Sequence, residues 1–375
     1  MNYDKIDLKW SNMLAGIHAQ VPYVKNSPRL IYDDIKASLK LNRPPEKVYL
    51  VGCGDSWYCG MSTRQAFQAW AGIQAEALQA MEFSRYHVQY APANSLVLTV
   101  SNSGRVSRTI ECVAQANLYG LTSAAATSNL KEGISQEAQY TIDLAYSERC
   151  FAPGTSSYMA SMMVEYCLAL YLAELKGRMS ATEVEEKLAL ISSLAEPMQE
   201  TIDACLPIME NLASRVKLSD QVIFLGSGPN YGTAFFSMAK VIESARMPAA
   251  GQEMEEWAHE QYFLTNERTH TFVLAPPGES ISRARELVSA IKAMRSSCIV
   301  VCDPEDKETA AGADLHVPIY GSFSELLSPI LYCIPAELFA FHLAVANDLV
   351  MLGFDNPLIK EVNFQQIFHS QVKRG

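Results

Sequence analysis

Apolar positions along the chain fall into two alternating periods. Short runs, VYLVG (48–52), LVLTV (96–100), TSAAAT (122–127) and YTIDLAY (140–146), read as buried strands, with a weaker one near 75–78. Helical spacing between them predicts helices at about 57–70 and 105–119, and a long apolar helix over 156–175. Residues 5–40 read as amphipathic helices broken at Pro22 and Pro28. After a helical join at 181–216 the order repeats: QVIFLGSG (221–228) echoes KVYLVGCG (47–54). A helix at 233–246, a strand at 270–275, a helix at 281–294, strands at 298–302 and 314–319, and a helix at 325–346 follow. Strands alternating with helices predict βαβ units and parallel sheets. The expected organisation is a duplicated α/β domain: an N-terminal helical segment (1–45), a first domain (46–200), a second (201–355) and a C-terminal tail (356–375).

A length of 375 residues suits two domains, and an apolar share of 49% supplies two cores. No long apolar run escapes interruption by Glu, Asp or Pro; the longest, from Ile330, contains Pro335, Glu337 and His342, so no membrane association is expected. The opening MNYDKIDLKW has no apolar h-region, so no secretory leader is expected. Nine cysteines without a CxxC predict reduced, mostly buried thiols in a cytoplasmic protein. A net charge of −11 disfavours nucleic-acid binding through a basic face. An anion bound here has to be met by local N–H groups. Seven scattered histidines show no HExxH spacing, so no metal is expected.

Ligands of parallel sheets bind at the carboxyl ends of strands. Two strand ends of the first half carry polar turns, GCGDS (52–56) and SNSG (101–104), and a third turn, GTSS (154–157), opens the long helix. Helix N-termini offer free N–H groups and a positive dipole end, which favour a phosphate. Each turn alone reads first as an N-cap or tight turn; three in one domain point to an anion site. A dinucleotide site needs G-x-G-x-x-G, and both Gly52/Gly54 and Gly226/Gly228 lack the third glycine. No cofactor is expected. In the second half Lys240 and Glu243 share a helix face, and a loop is expected from Pro248 to Glu256 and His259. A carboxylate and an imidazole suit acid–base chemistry; by spacing alone, a solvated Lys/Glu face and a surface histidine is the reading that wins.

Together these residues resemble the tandem sugar isomerase (SIS) domain family, over about Met13 to Pro357. They are similar to the isomerase half of glutamine:fructose-6-phosphate aminotransferase and to the fructosamine-6-phosphate deglycases. The family's CGTS turn stands here as Cys53-Gly54-Asp55-Ser56, its SxSGxTxxT turn as SNSGRVSRT, and its VAST-like segment as PGTSS. The resemblance implies two α/β domains of flavodoxin-like, three-layer build. It implies a sugar-phosphate site made by Gly54, Ser56, Ser101, Asn102, Ser103, Thr109, Thr155 and Ser156. Its K-x-x-E and E-x-x-H patterns fall on Lys240, Glu243, Glu256 and His259, which implies catalytic roles for Lys240, Glu243 and His259. In the family this histidine reaches the neighbouring subunit's site, which implies a homodimer. Asp55, Val106, Arg105 and Glu260 depart from the family pattern. No glutaminase domain precedes the first sheet, so amination from glutamine is not expected. Of the tail lysines Lys360 is the nearest to the family's Schiff-base lysine, at a shorter spacing from Pro357. The expected activity is hydrolysis of a fructosamine (ketosamine) 6-phosphate to glucose 6-phosphate and an amine. The alternatives are an amino-sugar phosphate deaminase, an aldose–ketose isomerase, and a non-catalytic phosphosugar sensor.

Overall fold

The computed structural model describes residues 11–144 and 153–375. Expected elements at 5–10 and 145–146 lie outside the described residues. The described chain divides into two units. One comprises residues 22–144, 156–193 and 356–375, the other 11–21, 153–155 and 194–355.

The first of these units holds five parallel strands, β1 (Lys47–Gly52), β2 (Gln74–Gln79), β3 (Ser95–Val100), β4 (Thr122–Thr127) and β5 (Tyr140–Asp143), in the order β2-β1-β3-β4-β5. That is the flavodoxin-like order. Every residue of β3 is buried, as a parallel strand covered on both faces requires. The helix Ser156–Leu175 is buried without interruption from Tyr158 to Ala173, which fits its apolar character on all sides.

The other unit repeats the plan with β6 (Gln221–Leu225), β7 (Ala249–Gln252), β8 (Thr269–Leu274), β9 (Ser297–Cys302) and β10 (Leu315–Pro318), in the order β10-β9-β8-β6-β7. Its core includes the stacked rings of Phe224 and Phe272, 4.7 Å apart, with Phe339 5.2 Å from Phe272.

Three local expectations are corrected. Pro22 and Pro28 do not break the first helix, which runs from Ser11 to Ser38 with both prolines inside it. Burial recurs at Met13, Ile17, Gln20, Val24, Ser27, Ile31 and Ile35, every three or four residues, and that continuous stripe outweighs the hydrogen bonds the prolines forfeit. The stretch from Pro248 to His259 is no loop: it forms β7 and a short helix, Met254–His259. The 325–346 region is helical in three pieces, Glu325–Leu327, Pro329–Tyr332 and Ile334–Ala346, with Pro329 and Pro335 each seated in a first helical turn, where a missing N–H costs least. Among the described residues, the span Glu325–Ala346 is the one long and apolar enough to cross a membrane by composition, and 89% of its most apolar window is buried inside the fold. The eight described cysteines are free thiols, and all but Cys53 are buried.

Candidate active site

β1 and β3 are paired neighbours, with Val51 opposite Thr99, yet the chain leaves β1 for β2 on the other side. This is the sheet's topological switch point, where a crevice opens beyond the strand ends. It brings the Gly54–Ser56 turn beside the Ser101–Gly104 turn. Gly54 takes a left-handed φ of 54° as N-cap of the helix Asp55–Ala66, and no side chain caps that helix. Ser56 is half-buried in its first turn.

The second turn is held rigidly by the end of β4. The Asn102 carbonyl accepts from Ser128 N (3.2 Å), Thr127 Oγ1 (3.1 Å) and Ser128 Oγ (2.8 Å). Asn129 Nδ2 donates to Ser103 O at 3.0 Å, and Ile134 N to Gly104 O at 2.8 Å. Gly104 has φ 68°, and a Cβ there would lie 2.9 Å from Thr127 Oγ1, so only glycine suits it. Ser103 Oγ accepts from Arg105 N at 3.3 Å and keeps its own proton to donate. The Ser101 hydroxyl is buried, at 3% exposure, and has no partner among the described residues. An unsatisfied buried hydroxyl is uncommon and marks a place for a ligand or water. The helix that follows, Ser107–Leu118, starts at Val106 without a side-chain cap, which leaves its positive end to an anion. Thr109 is drawn away from that role: its hydroxyl donates to Val106 O at 2.7 Å and it is buried. Thr155 is buried and Ser156 is half-buried at the start of the long helix.

One turn along the same helix stands a cluster that residue patterns did not reveal. Glu111, fully buried, accepts from Arg85 Nε (2.7 Å), Arg108 Nη1 (2.5 Å), Ser84 Oγ (3.0 Å) and the backbone N–H of Lys373 (2.7 Å). Burial pushes its carboxyl up, but the Arg85 bond, the Lys373 amide, Ser84 and the Arg108 charge outweigh it and hold the pKa at about 2. The tail, after its helix Pro357–Phe368, is thus fastened to this helix, and Arg374 pairs with Glu137 at 2.6 Å. Arg105 stacks over Phe368 at 5.7 Å, and Arg108 also donates to Gln371 O. Both arginines are engaged with the protein's own tail.

In the second sheet Lys240 and Glu243 stand on the helix Pro229–Ala245. Lys240 is fully buried, its Nζ 2.7 Å from Glu243 Oε2 and 4.8 Å from the Phe236 ring centroid. The Glu243 side chain is 35% exposed, so a fixed carboxylate faces outward. His259 ends its short helix with the side chain 71% exposed, 3.6 Å from Glu255. Glu256 is exposed on that helix, and Glu260 Oε1 accepts from Gln252 Nε2 at 3.1 Å. Patterns also missed Glu253. It caps the short helix by accepting from Glu255 N (2.6 Å) and Glu256 N (3.4 Å), and it bonds Ser227 of the GSG turn. The equivalent switch point, between β6 and β8, therefore meets a carboxylate instead of an open anion turn. Among the described residues no group of three or more His, Cys, Asp or Glu has metal-binding geometry.

Glutamine–fructose-6-phosphate aminotransferase (isomerizing) of Gloeobacter violaceus is 25% identical over 343 residues, covering 90% of this chain and 56% of that protein. The chain spans about half the length of the curated relatives it matches. Among solved structures, the C-terminal domain of glucosamine-fructose-6-phosphate aminotransferase from Francisella tularensis superposes with a TM-score of 0.79 at 16% identity, covering 91% of this chain and 97% of that one. Glucosamine-6-phosphate deaminase from Thermotoga maritima superposes at 0.66 and 18% identity, covering 90% and 96%. The model of the SIS domain matches twice, over residues 41–171 and 217–347, one match to each five-stranded sheet, and the chain belongs to that family.

Proposed function

We propose that the chain hydrolyses a fructosamine (ketosamine) 6-phosphate to glucose 6-phosphate and a free amine. The observation that carries this reading is the Lys240–Glu243 pair, a carboxylate fixed by a fully buried ammonium and left partly open on one side. Membership of the SIS family, the Ser101–Gly104 turn and the helix Ser107–Leu118 that follows it without a side-chain cap support a sugar phosphate as the substrate.

In this reading Ser56, Ser101 and Ser103, with the adjoining helix amides, hold the phosphate, and its binding energy positions the reacting carbons. Ring opening frees the C2 carbonyl. Glu243 takes a proton from C1 while the C2 oxygen gains one from solvent, which gives an enolamine. The proton returns to C2 and the nitrogen gives its N–H proton to solvent, which leaves an imine between C1 and the amine nitrogen. Water adds at C1, the C–N bond breaks, and the amine departs with both protons of that water, whose oxygen stays as the C1 aldehyde. His259 serves ring opening or the water step. The exposure of His259 supports a homodimer in which it serves the neighbouring subunit. If so, mixing inactive Glu243→Gln and His259→Ala chains under subunit exchange restores part of the activity; no restoration removes the shared-site reading.

The reaction is tested by incubating the full chain with fructosamine 6-phosphates, fructose 6-phosphate and glucosamine 6-phosphate. Release of glucose 6-phosphate and amine from the first supports the reading. Ammonia from glucosamine 6-phosphate with inert ketosamines replaces it with a deaminase. Interconversion of hexose phosphates alone replaces it with an isomerase, and tight binding without turnover with a sensor.

A further inference from the structure

At the amino ends of β3, β4 and β5, opposite the phosphate turn, lies a cavity of about 180 Å³. Its lining includes Lys40, Asn42, Arg43, Ser95, Thr122 and Tyr140: among the described residues, two cations and no carboxylate, in a chain whose net charge is −11. The Ser95 residue is 1% exposed and its hydroxyl has no partner among the described residues. Such a group is costly to leave unmade and marks where a ligand atom belongs.

The cations at the rim are oriented, not loose. Arg43 Nε donates to Asn94 Oδ1 at 3.2 Å, and Asn94 Nδ2 donates in turn to Pro44 O at 3.1 Å. That bond aims the guanidinium while its two Nη atoms find no partner among the described residues. Lys40 Nζ caps the first helix at Lys36 O, 2.8 Å away, which uses one of three ammonium protons. Helix capping accounts for that one bond and leaves the Arg43 Nη atoms and the Ser95 hydroxyl without a partner among the described residues.

We infer that this cavity is a second anion site, one that binds a phosphoryl group. The Arg43 fork and the Lys40 ammonium meet its charge, and Ser95 donates from the floor. Its volume corresponds to about six waters at roughly 30 Å³ each. That is below the ~300 Å³ where pockets for larger organic ligands begin, so the ligand is inorganic phosphate or the phosphate end of a small ester. Ser95 and Ser101 stand at opposite ends of one strand, about 20 Å apart at ~3.3 Å per residue, so the two sites are separate.

Calorimetric titration of the full chain with inorganic phosphate, and separately with glucose 6-phosphate, tests this. The background is Ser101→Ala/Ser103→Ala, which disables the phosphate turn at the other end. Saturable binding should persist there. Adding Lys40→Ala and Arg43→Ala should weaken it about tenfold or more, and adding Ser95→Ala instead should weaken it severalfold. Lys40 and Arg43 are exposed, so an unchanged melting curve without phosphate confirms that the fold survives. Binding of phosphate alone identifies the free ion, and binding of both identifies an ester end. No saturable binding in the double-serine background overturns the inference. So does affinity that ignores Lys40 and Arg43. Neither outcome bears on turnover at Glu243.

Discussion

Lys240 Nζ lies 2.7 Å from Glu243 Oε2, one helical turn apart, with the lysine fully buried and the glutamate 35% exposed. The ammonium orients the carboxylate. Lys240→Met keeps the volume and removes the charge. Turnover should fall by roughly 10²-fold, the scale of losing one preorganised electrostatic partner. The far-UV spectrum should be unchanged. A variant with full turnover would show that the pair is structural only.

Ser101→Ala should separate binding from stability. The Ser101 hydroxyl has no partner among the described residues, so its loss should move stability by no more than about 0.5 kcal/mol. Affinity for a sugar phosphate should drop about tenfold, and further with Ser103→Ala. A calorimetric affinity equal to wild type would remove Ser101 from the phosphate site.

Glu165 gives a pH dependence. It is fully buried, accepting from Thr63 Oγ1 at 2.5 Å and Cys59 Sγ at 3.1 Å. Burial raises its pKa to about 7, against the lowering effect of those two bonds. The folded state therefore keeps a proton that the unfolded chain loses near 4.5. Stability falls as pH rises through that interval, by an amount on the order of 3 kcal/mol, and levels off above pH 7. Glu165→Gln removes the titration. Urea unfolding at several pH values should show the wild-type advantage shrinking between about pH 4.5 and 7; parallel curves would contradict it.

Glu111 acts in the opposite sense. Its folded pKa of about 2 lies below the ordinary 4.5, so its contribution is present above pH 4.5 and is lost as pH falls through 2. Glu111→Gln strands Arg85 and Arg108 and weakens the hold on Lys373. A loss of about 3 kcal/mol is expected. Trypsin should cut after Lys373 or Arg374 faster than in wild type. An equally protected tail would mean that other contacts hold it.

The strands β1, β3 and β4 and the 156–175 helix are legible in the sequence, because their apolar runs have one stable placement, inside a covered parallel sheet. β7 is not. Its residues, Ala249-Ala250-Gly251-Gln252, have no strand preference, and only pairing with β6 makes them a strand. The two prolines of the first helix mislead because a local rule yields to a buried stripe seven positions long. At the site, the Ser101–Gly104 turn is legible from its residue types. The Glu111 cluster is not, since Arg85, Glu111 and Lys373 meet only after the fold has formed. Thr109 shows the limit of a pattern: the residue matches, while its hydroxyl is engaged with Val106 O.

The most direct measurement follows the proton at C2. The full chain is given a fructosamine 6-phosphate in deuterated water, and the glucose 6-phosphate formed is read by NMR. A shuttle by Glu243 that exchanges with solvent before returning its proton puts deuterium at C2, and Glu243→Gln slows product formation by roughly 10²–10⁴-fold while substrate still binds. Glucose 6-phosphate formed at the wild-type rate by Glu243→Gln would contradict the account, as would ketosamine bound tightly with neither sugar phosphate nor amine released.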